Sequence, residues 1–220
     1  MLRCEIDHLV VTAASLEAGA EYVRKTLGVT PQVGGEHVRM GTHNLLVKLG
    51  ETIYLEVIAI NPAAPRLNRA RWFELDARAT NAPPRLTTWV ARVNHIDAAM
   101  DVSPIRLGKI EPMSRGQLFW LIAVPIDGSL PMQGIAPTLI QWADGRHPAS
   151  RLDDLGCSLI RLEGFHHEAD KIAAMLKAVG FAGEFGIAPL MTDERPFLVA
   201  TINTPGGVRQ LSGREDGESI

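Results

Sequence analysis

Three imidazoles and one carboxylate crowd the first quarter of the chain: His8, His37, His43 and Glu56. Histidine nitrogen and carboxylate oxygen together form an ordinary ligand set for zinc, iron, manganese or nickel. Plainer readings stand beside that one. His37 and His43 could be loop residues bonded to backbone, and His8 a core histidine satisfied by Glu56 as a structural pair. Further along, Arg115-Gly116 followed by Trp120 could set a cation beside an aromatic wall, useful for an anionic or enolate oxygen. The alternative is an ordinary hairpin arginine. Trp89, Trp120 and Trp142 read first as core residues, yet tryptophans lining a concave sheet could also wall a ligand pocket. His166-His167 sits just before a helical stretch and reads as solvated or capping. No nucleophilic serine or cysteine motif, phosphate loop or dinucleotide fingerprint appears; Gly34-Gly35 lacks the rest of that pattern.

The elements that must position these groups follow from pattern. Ile6 to Thr12 reads as a strand. Strict alternation puts Ile6, His8 and Val10 on one face, and Asp7, Leu9 and Val11 on the other. Ser15 reads as an N-cap, Leu16, Ala20, Val23 and Leu27 keep helical spacing, and Gly28 stands where a terminating glycine belongs. His37 to Met40 is expected as a short strand, Asn44 to Leu49 as a clearer one, and Thr52 to Ile60 as the strongest. Asn61 to Pro84, with Pro62, Pro65, Pro83 and Pro84, breaks the rhythm. It reads as a lid-like excursion with a short helix at Trp72 to Leu75, because its aromatics need something to cover. The strand–helix–three-strand order then returns twice, over 85–145 and from Cys157 to Leu211, and the second helix-ending glycine is Gly180. Repeats of this size mean modules that close a core only by pairing.

Bulk properties narrow the function classes. The chain has 220 residues, enough for one large domain or two small ones, with 46% apolar and 21% charged residues as in ordinary globular proteins. A net charge of -3 leaves no basic excess for general nucleic-acid binding. No apolar run approaches the roughly 20 residues that span a bilayer, so no membrane partner is expected. Met1 to Glu5 lacks the basic region and apolar core of a signal peptide. Cys4 and Cys157 are too few and too distant for a disulfide framework or thiolate zinc site, so a reducing cytoplasm is the default.

Several stretches carry a family resemblance. Asp7-His8-Leu9-Val10 resembles the first-strand signature of the vicinal oxygen chelate superfamily, and Tyr54-Leu55-Glu56-Val57 its fourth-strand signature. That superfamily includes glyoxalase I, extradiol dioxygenases and the fosfomycin- and bleomycin-resistance proteins. Gly34-Gly35-x-His37 followed by Gly41-Thr42-x-Asn44 is similar to its glyoxalase-like domain branch. Thr204-Pro205-Gly206-Gly207-Val208-Arg209-Gln210-Leu211 resembles its terminal strand. The likeness is specific over 5–60, looser over 85–145, and rests beyond 150 on element order and that last strand.

The resemblance implies an α+β fold of repeated βαβββ modules forming cupped mixed sheets. Residues 1–150 would be a glyoxalase-like domain of two modules (5–60 and 85–145), 151–214 a third such module, and 215–220 a polar tail. It also implies a divalent metal (Zn, Fe, Mn or Ni) held by His8 and Glu56, with His37 from the loop and Gln141 as a neutral oxygen. Glu56 would double as catalytic base, and Asn44, Arg115, Trp120 and Trp142 would contact substrate. The sequence departs from the pattern in its later modules. Thr88-Trp89-Val90 offers no histidine, and Gln141 and Gln210 stand where a glutamate is expected. Two functions follow: a metal-dependent lyase, isomerase or dioxygenase acting on a small oxygenated molecule, or a metal-free cup that binds a small molecule. An odd third module would pack alone or pair with its counterpart in another subunit, which suggests a homodimer.

Overall fold

The computed structural model of the chain describes residues 1–143, 147–191 and 193–214; the expected polar tail at 215–220 lies outside them. The first module runs β1 (Cys4–Thr12), α1 (Leu16–Leu27), β2 (Gln32–His37), β3 (Thr42–Lys48), β4 (Tyr54–Ile60). The second runs β5 (Arg85–Val93), α2 (Ile96–Val102), β6 (Lys109–Arg115), β7 (Leu118–Val124), β8 (Thr138–Trp142). The third runs β9 (Ser158–His166), α3 (Ala169–Ala178), β10 (Phe185–Pro189), β11 (Phe197–Thr204), β12 (Gly207–Ser212).

Local chemistry explains α1. The Ser15 hydroxyl accepts from the Ala18 N–H at 3.2 Å, and Gly28 takes a left-handed φ of 74° to end the helix. A Cβ on Gly19 would stand 2.3 Å from a Val57 methyl, so glycine lets the helix lie close against β4.

The first two modules join into one 8-stranded sheet in the order β2-β3-β4-β1-β5-β8-β7-β6. Within each, the first strand lies parallel to the last, and β1 and β5 pair antiparallel across the join. The sheet curls until its edges β2 and β6 touch. Polar links hold that approach. Arg39, just after β2, donates to the Pro112 carbonyl and to Glu111 on β6, and Arg69 also pairs with Glu111. The 61–84 excursion covers the resulting cup, with Trp72 and Phe73 buried in the concave apolar cluster beside Val10, Ile58, Trp120 and Ile122.

The third unit repeats the element order but not the pairing. Its sheet runs β10-β9-β11-β12, so β9 sits between the strand that follows its helix and the next one. It packs on the outer face of the 8-stranded sheet of the same chain. Leu9, Val57, Val23 and Leu27 share one core cluster with Ile172, Met175, Leu198 and Ile202. Trp89 anchors the contact: fully buried, stacked on Phe185 at 4.7 Å, its indole N–H donating to the Ile135 carbonyl at 2.9 Å. The third unit therefore finds its apolar partner within its own chain, which removes the ground on which a homodimer was expected.

Other differences are local. His37 closes β2, and Val38–Met40 is a 3-10 turn ending at Gly41, where φ is 59°. The expected helix at Trp72 to Leu75 is instead a 3-10 turn at Leu75–Ala77. Trp89→Ala is expected to lower unfolding free energy by about 3–5 kcal/mol, because it empties the contact between the two sheets. Urea denaturation followed by circular dichroism checks this, and a loss near zero would show that the sheets do not depend on each other.

Candidate functional site

A bulge in β1 builds the site. Pairing with β5 slips between Ile6 and His8, so the strand's alternation breaks there. Ile6 joins the core behind the sheet, whereas Asp7 and His8 both reach the cup side. The expected grouping of Ile6 with His8 and Val10 is corrected accordingly.

Asp7 is fully buried and collects three donors. Its Oδ1 accepts from His8 Nδ1 at 2.6 Å; its Oδ2 accepts from Trp142 Nε1 at 2.8 Å and His147 Nε2 at 3.1 Å. The Ala149 N–H donates to His147 Nδ1 at 3.3 Å, which leaves the His147 proton on Nε2, facing Asp7. Burial by itself would raise the Asp7 carboxyl; the bonds from His147 and His8 outweigh it and hold the group well below the usual carboxylate range.

With Nδ1 committed to Asp7, His8 turns Nε2 toward Glu56 Oε2 at 3.6 Å, its ring stacked on Tyr54 at 4.5 Å. Glu56 is 5% exposed, and its Oε1 accepts from Asn44 Nδ2 at 2.5 Å. His37 stands on the other side, Nε2 3.9 Å from Glu56 Oε1. Arg115 Nη1 donates to His37 Nε2 at 3.3 Å and to Asn44 Oδ1 at 3.2 Å. A guanidinium only donates, so His37 accepts at Nε2 and carries its proton on Nδ1, 3.1 Å from Thr42 Oγ1. Burial, aided by the Arg115 charge and opposed by Glu56, pulls the His37 imidazole down to about 4. It is neutral at physiological pH.

Trp72, Phe73, Trp120, Ile122, Ile140 and Trp142 wall these groups. They leave a cavity of about 20 Å³, room for roughly one water. The Trp72 indole N–H is buried on that wall without an acceptor.

Of the sequence-predicted residues, His8, His37, Asn44, Glu56, Arg115, Trp120 and Trp142 come together here. Gln141 does not. Ile140 and Trp142 point into the cup, so strand alternation sends Gln141 to the opposite face. There its Oε1 accepts from the Ile96 N–H at 2.7 Å, at the start of α2. His43, between Thr42 and Asn44 on β3, is half-buried and does not line the cup. Sequence reasoning missed Asp7, Tyr54, Trp72, Phe73 and His147. A bulge would have recovered Asp7, and the excursion aromatics were already expected to cover something. His147 in its polar loop carried no signal.

A divalent metal does not fit the residues as they stand. His8 Nε2, His37 Nε2 and Glu56 have suitable chemistry. However, His37 spends both nitrogens on Thr42 and Arg115, Glu56 accepts from Asn44, and the Arg115 cation faces the same space. Among the described residues, no three His, Cys, Asp or Glu side chains gather to hold an ion.

The His37 geometry predicts a pH dependence. Its value falls from 6.5 unfolded to about 4 folded, so the unfolded chain binds the extra proton between those limits. The stability from keeping it neutral is complete above pH 6.5 and is lost as pH falls toward 4. Moving from pH 7 to pH 5 should remove about 2 kcal/mol on this account, and His37→Gln should flatten that slope. Urea midpoints at the two pH values measure it; an equal slope in the variant would assign the effect elsewhere.

Comparison with known proteins fits this architecture. A sequence profile described as a glyoxalase-like domain matches residues 6–180. No curated protein matches the chain by sequence. Among solved structures, a hypothetical protein from Staphylococcus aureus aligns with a TM-score of 0.61 at 11% identity, over 94% of this chain and 98% of that one. A mutant of 4-hydroxymandelate synthase from Streptomyces coelicolor aligns with a TM-score of 0.52 at 12% identity, over 96% of this chain and 63% of that one. Methylmalonyl-CoA epimerase from Mycobacterium tuberculosis gives 0.39 at 16% identity, over 62% and 85%. The first two likenesses carry the fold alone. No helix among the described residues is long and apolar enough to cross a membrane. With its cupped pair of βαβββ modules and a profile match over most of its length, the chain belongs to the glyoxalase-like domain family.

Proposed function

We propose that the cup is the active site of a lyase or isomerase that moves a proton on a small oxygenated molecule. One observation carries this reading: a buried carboxylate, Glu56, faces an imidazole whose orientation Asp7 fixes. Glu56 is the base that takes a proton from carbon next to a carbonyl or carboxylate. His8 Nε2 is the group beside it that exchanges protons with it or with the substrate oxygen. Arg115 and the unmatched Trp72 indole N–H are the donors for the oxygen on which charge develops. Neutral His37 holds Arg115 in place and adds no competing charge. The aromatic walls exclude water, which strengthens every one of these interactions. Because the cavity holds only about one water, a substrate makes its room by displacing Arg115 or the Trp72–Phe73 segment.

A second reading keeps the divalent metal of the family resemblance, as a lyase, isomerase or dioxygenase. The Asp7–His8 bond favours it, since a carboxylate on the far nitrogen of a histidine commonly orients a metal ligand. A third leaves a metal-free cup that binds and does not react.

Deuterium wash-in from heavy water into a panel of α-hydroxy carbonyls, hemithioacetals and α-substituted carboxylates, followed by proton NMR, separates these readings when paired with elemental analysis of untagged protein. Proton transfer by this set predicts exchange that survives chelation and falls about 10²–10⁴-fold in Glu56→Gln. One equivalent of bound metal, lost in both His8→Ala and Glu56→Ala, would replace it with the metal reading. Saturable ligand binding with no exchange would leave the binding cup.

A further inference from the structure

Arg115 walls more than the cup. A second cavity, of about 300 Å³, adjoins it there, and among the described residues Arg115 alone lines both. The cup holds about 20 Å³, so a molecule of several heavy atoms must keep most of its bulk outside. The adjoining cavity has the volume for it.

The elements around this cavity are the ones that the cup already fixes. Val33 and Gly34 come from β2, Leu118 from the start of β7, and Arg151 from the 3-10 turn Pro148–Arg151. His147, which donates to Asp7, caps the start of that turn by accepting from the Ala149 N–H. Beyond its end, the Gln32 side chain donates to the Asp153 carbonyl and accepts from the Asp153 N–H, both at 3.2 Å. The turn is therefore fastened to β1 at one end and β2 at the other, and a ligand meets a preorganised wall.

Two cations line the cavity, and no described lining residue is acidic. Both hydrogen bonds of Arg115 leave from Nη1, so its Nε and Nη2 have no partner among the described residues. A Cβ on Gly35 would stand 3.0 Å from Arg115 Cδ, so glycine clears the path of that side chain across β2. Arg151 is exposed and has no hydrogen bond or ion pair among the described residues. Val33, Leu118 and Leu152 supply apolar lining between them.

We propose that this cavity is the outer half of the substrate site, and that the substrate carries, beyond its reacting carbon, a carboxylate or phosphate group held by Arg115 and Arg151. The inference rests on the acid–base reading of the cup and names the class of molecule that cup would take. Planar guanidiniums match the paired oxygens of both anionic groups. An anion on Arg115 Nε and Nη2 breaks no existing bond as it arrives. Drawing Arg115 outward then releases His37 and Asn44 and opens the partition to Glu56.

Isothermal titration at constant ionic strength tests this with glutarate and 3-phosphonopropionate, which are acidic at both ends, and with butyrate, which is acidic at one. The dianions should bind about tenfold or more tighter than butyrate, the gain of a second charge-assisted contact. Arg151→Gln should remove most of that advantage and Arg151→Lys recover part of it. Val33→Trp, at a rim position 84% exposed, keeps every charge and should weaken both dianions by filling the cavity. Arg106→Gln, which lines neither cavity, should change nothing, and thermal melts verify that each variant is folded. Binding of either dianion in this pattern supports the proposal, and the tighter one identifies the distal group as carboxylate or phosphate. Absence of saturable binding overturns it, as does dianion binding that equals butyrate or survives both Arg151→Gln and Val33→Trp. In the deuterium wash-in assay, Arg151→Gln should raise KM about tenfold for substrates with a distal anion and leave kcat nearly unchanged. Exchange indifferent to Arg151 overturns this inference and leaves the acid–base reading standing. Arg151-dependent binding without exchange keeps the outer anion site and overturns that reading instead.

Discussion

A carboxylate with no exposure to water is costly unless hydrogen-bond donors replace its lost hydration, and Asp7 is such a group. Its three donors come from different parts of the chain: His8 beside it on β1, Trp142 at the end of β8, and His147 in the loop leading to the third unit. Satisfying one buried charge therefore fixes three things at once. It sets the ring orientation of His8, ties the first module to the second, and pins the start of the connection to β9. Losing any one donor leaves desolvation uncompensated, so the three contacts hold or fail together. The bulge in β1 is the local irregularity that makes this possible, because a regular strand would send Asp7 into the apolar core behind the sheet.

The apolar arrangement follows from the same division of faces. Leu9, Val11, Leu55 and Val57 point away from the cup, and α1 and the third unit both bury themselves against that side. Val10, Ile58, Ile122 and Ile140 point inward and meet Trp72 and Phe73. A sheet buried on both faces can hold charged groups in its hollow only where they are paired, and Glu56 is paired with Asn44 and set beside His8 and His37.

Much of this was legible in the sequence. Ser15 and Gly28 bounded the first helix, and the βαβββ order twice over foretold a paired cup, because both signals are local and periodic. The family resemblance singled out His8, Glu56, His37 and Asn44, and the fold brings these four side chains together. The misses share one cause: each depended on a contact that local pattern does not encode. Asp7 needed a one-residue slip in pairing with β5. Gln141 was placed by analogy with Glu56, but the bond to Ile96 shows that β8 presents its neighbours to the cup instead. The third unit repeated the order of elements, yet β9 chose β10 as its parallel neighbour, a choice made by long-range packing. His147 is joined to Asp7 across 140 positions of sequence.

Arg115 links closure of the cup to its chemistry. It sits at the end of β6, and a single nitrogen reaches both His37 at the end of β2 and Asn44 on β3. Those bonds span the two edges of the curled sheet, so the group that helps close the cup is also the cation that lines it. In the proposed reading, an oxyanion that takes Arg115 competes with His37 and Asn44 for the same hydrogens. Asn44 in turn donates to Glu56 through its amide nitrogen, so a change at Arg115 is felt at the proposed base within two bonds. Substrate charge, edge closure and the environment of Glu56 are therefore one coupled set, and the aromatic walls make the coupling strong by keeping water out of it.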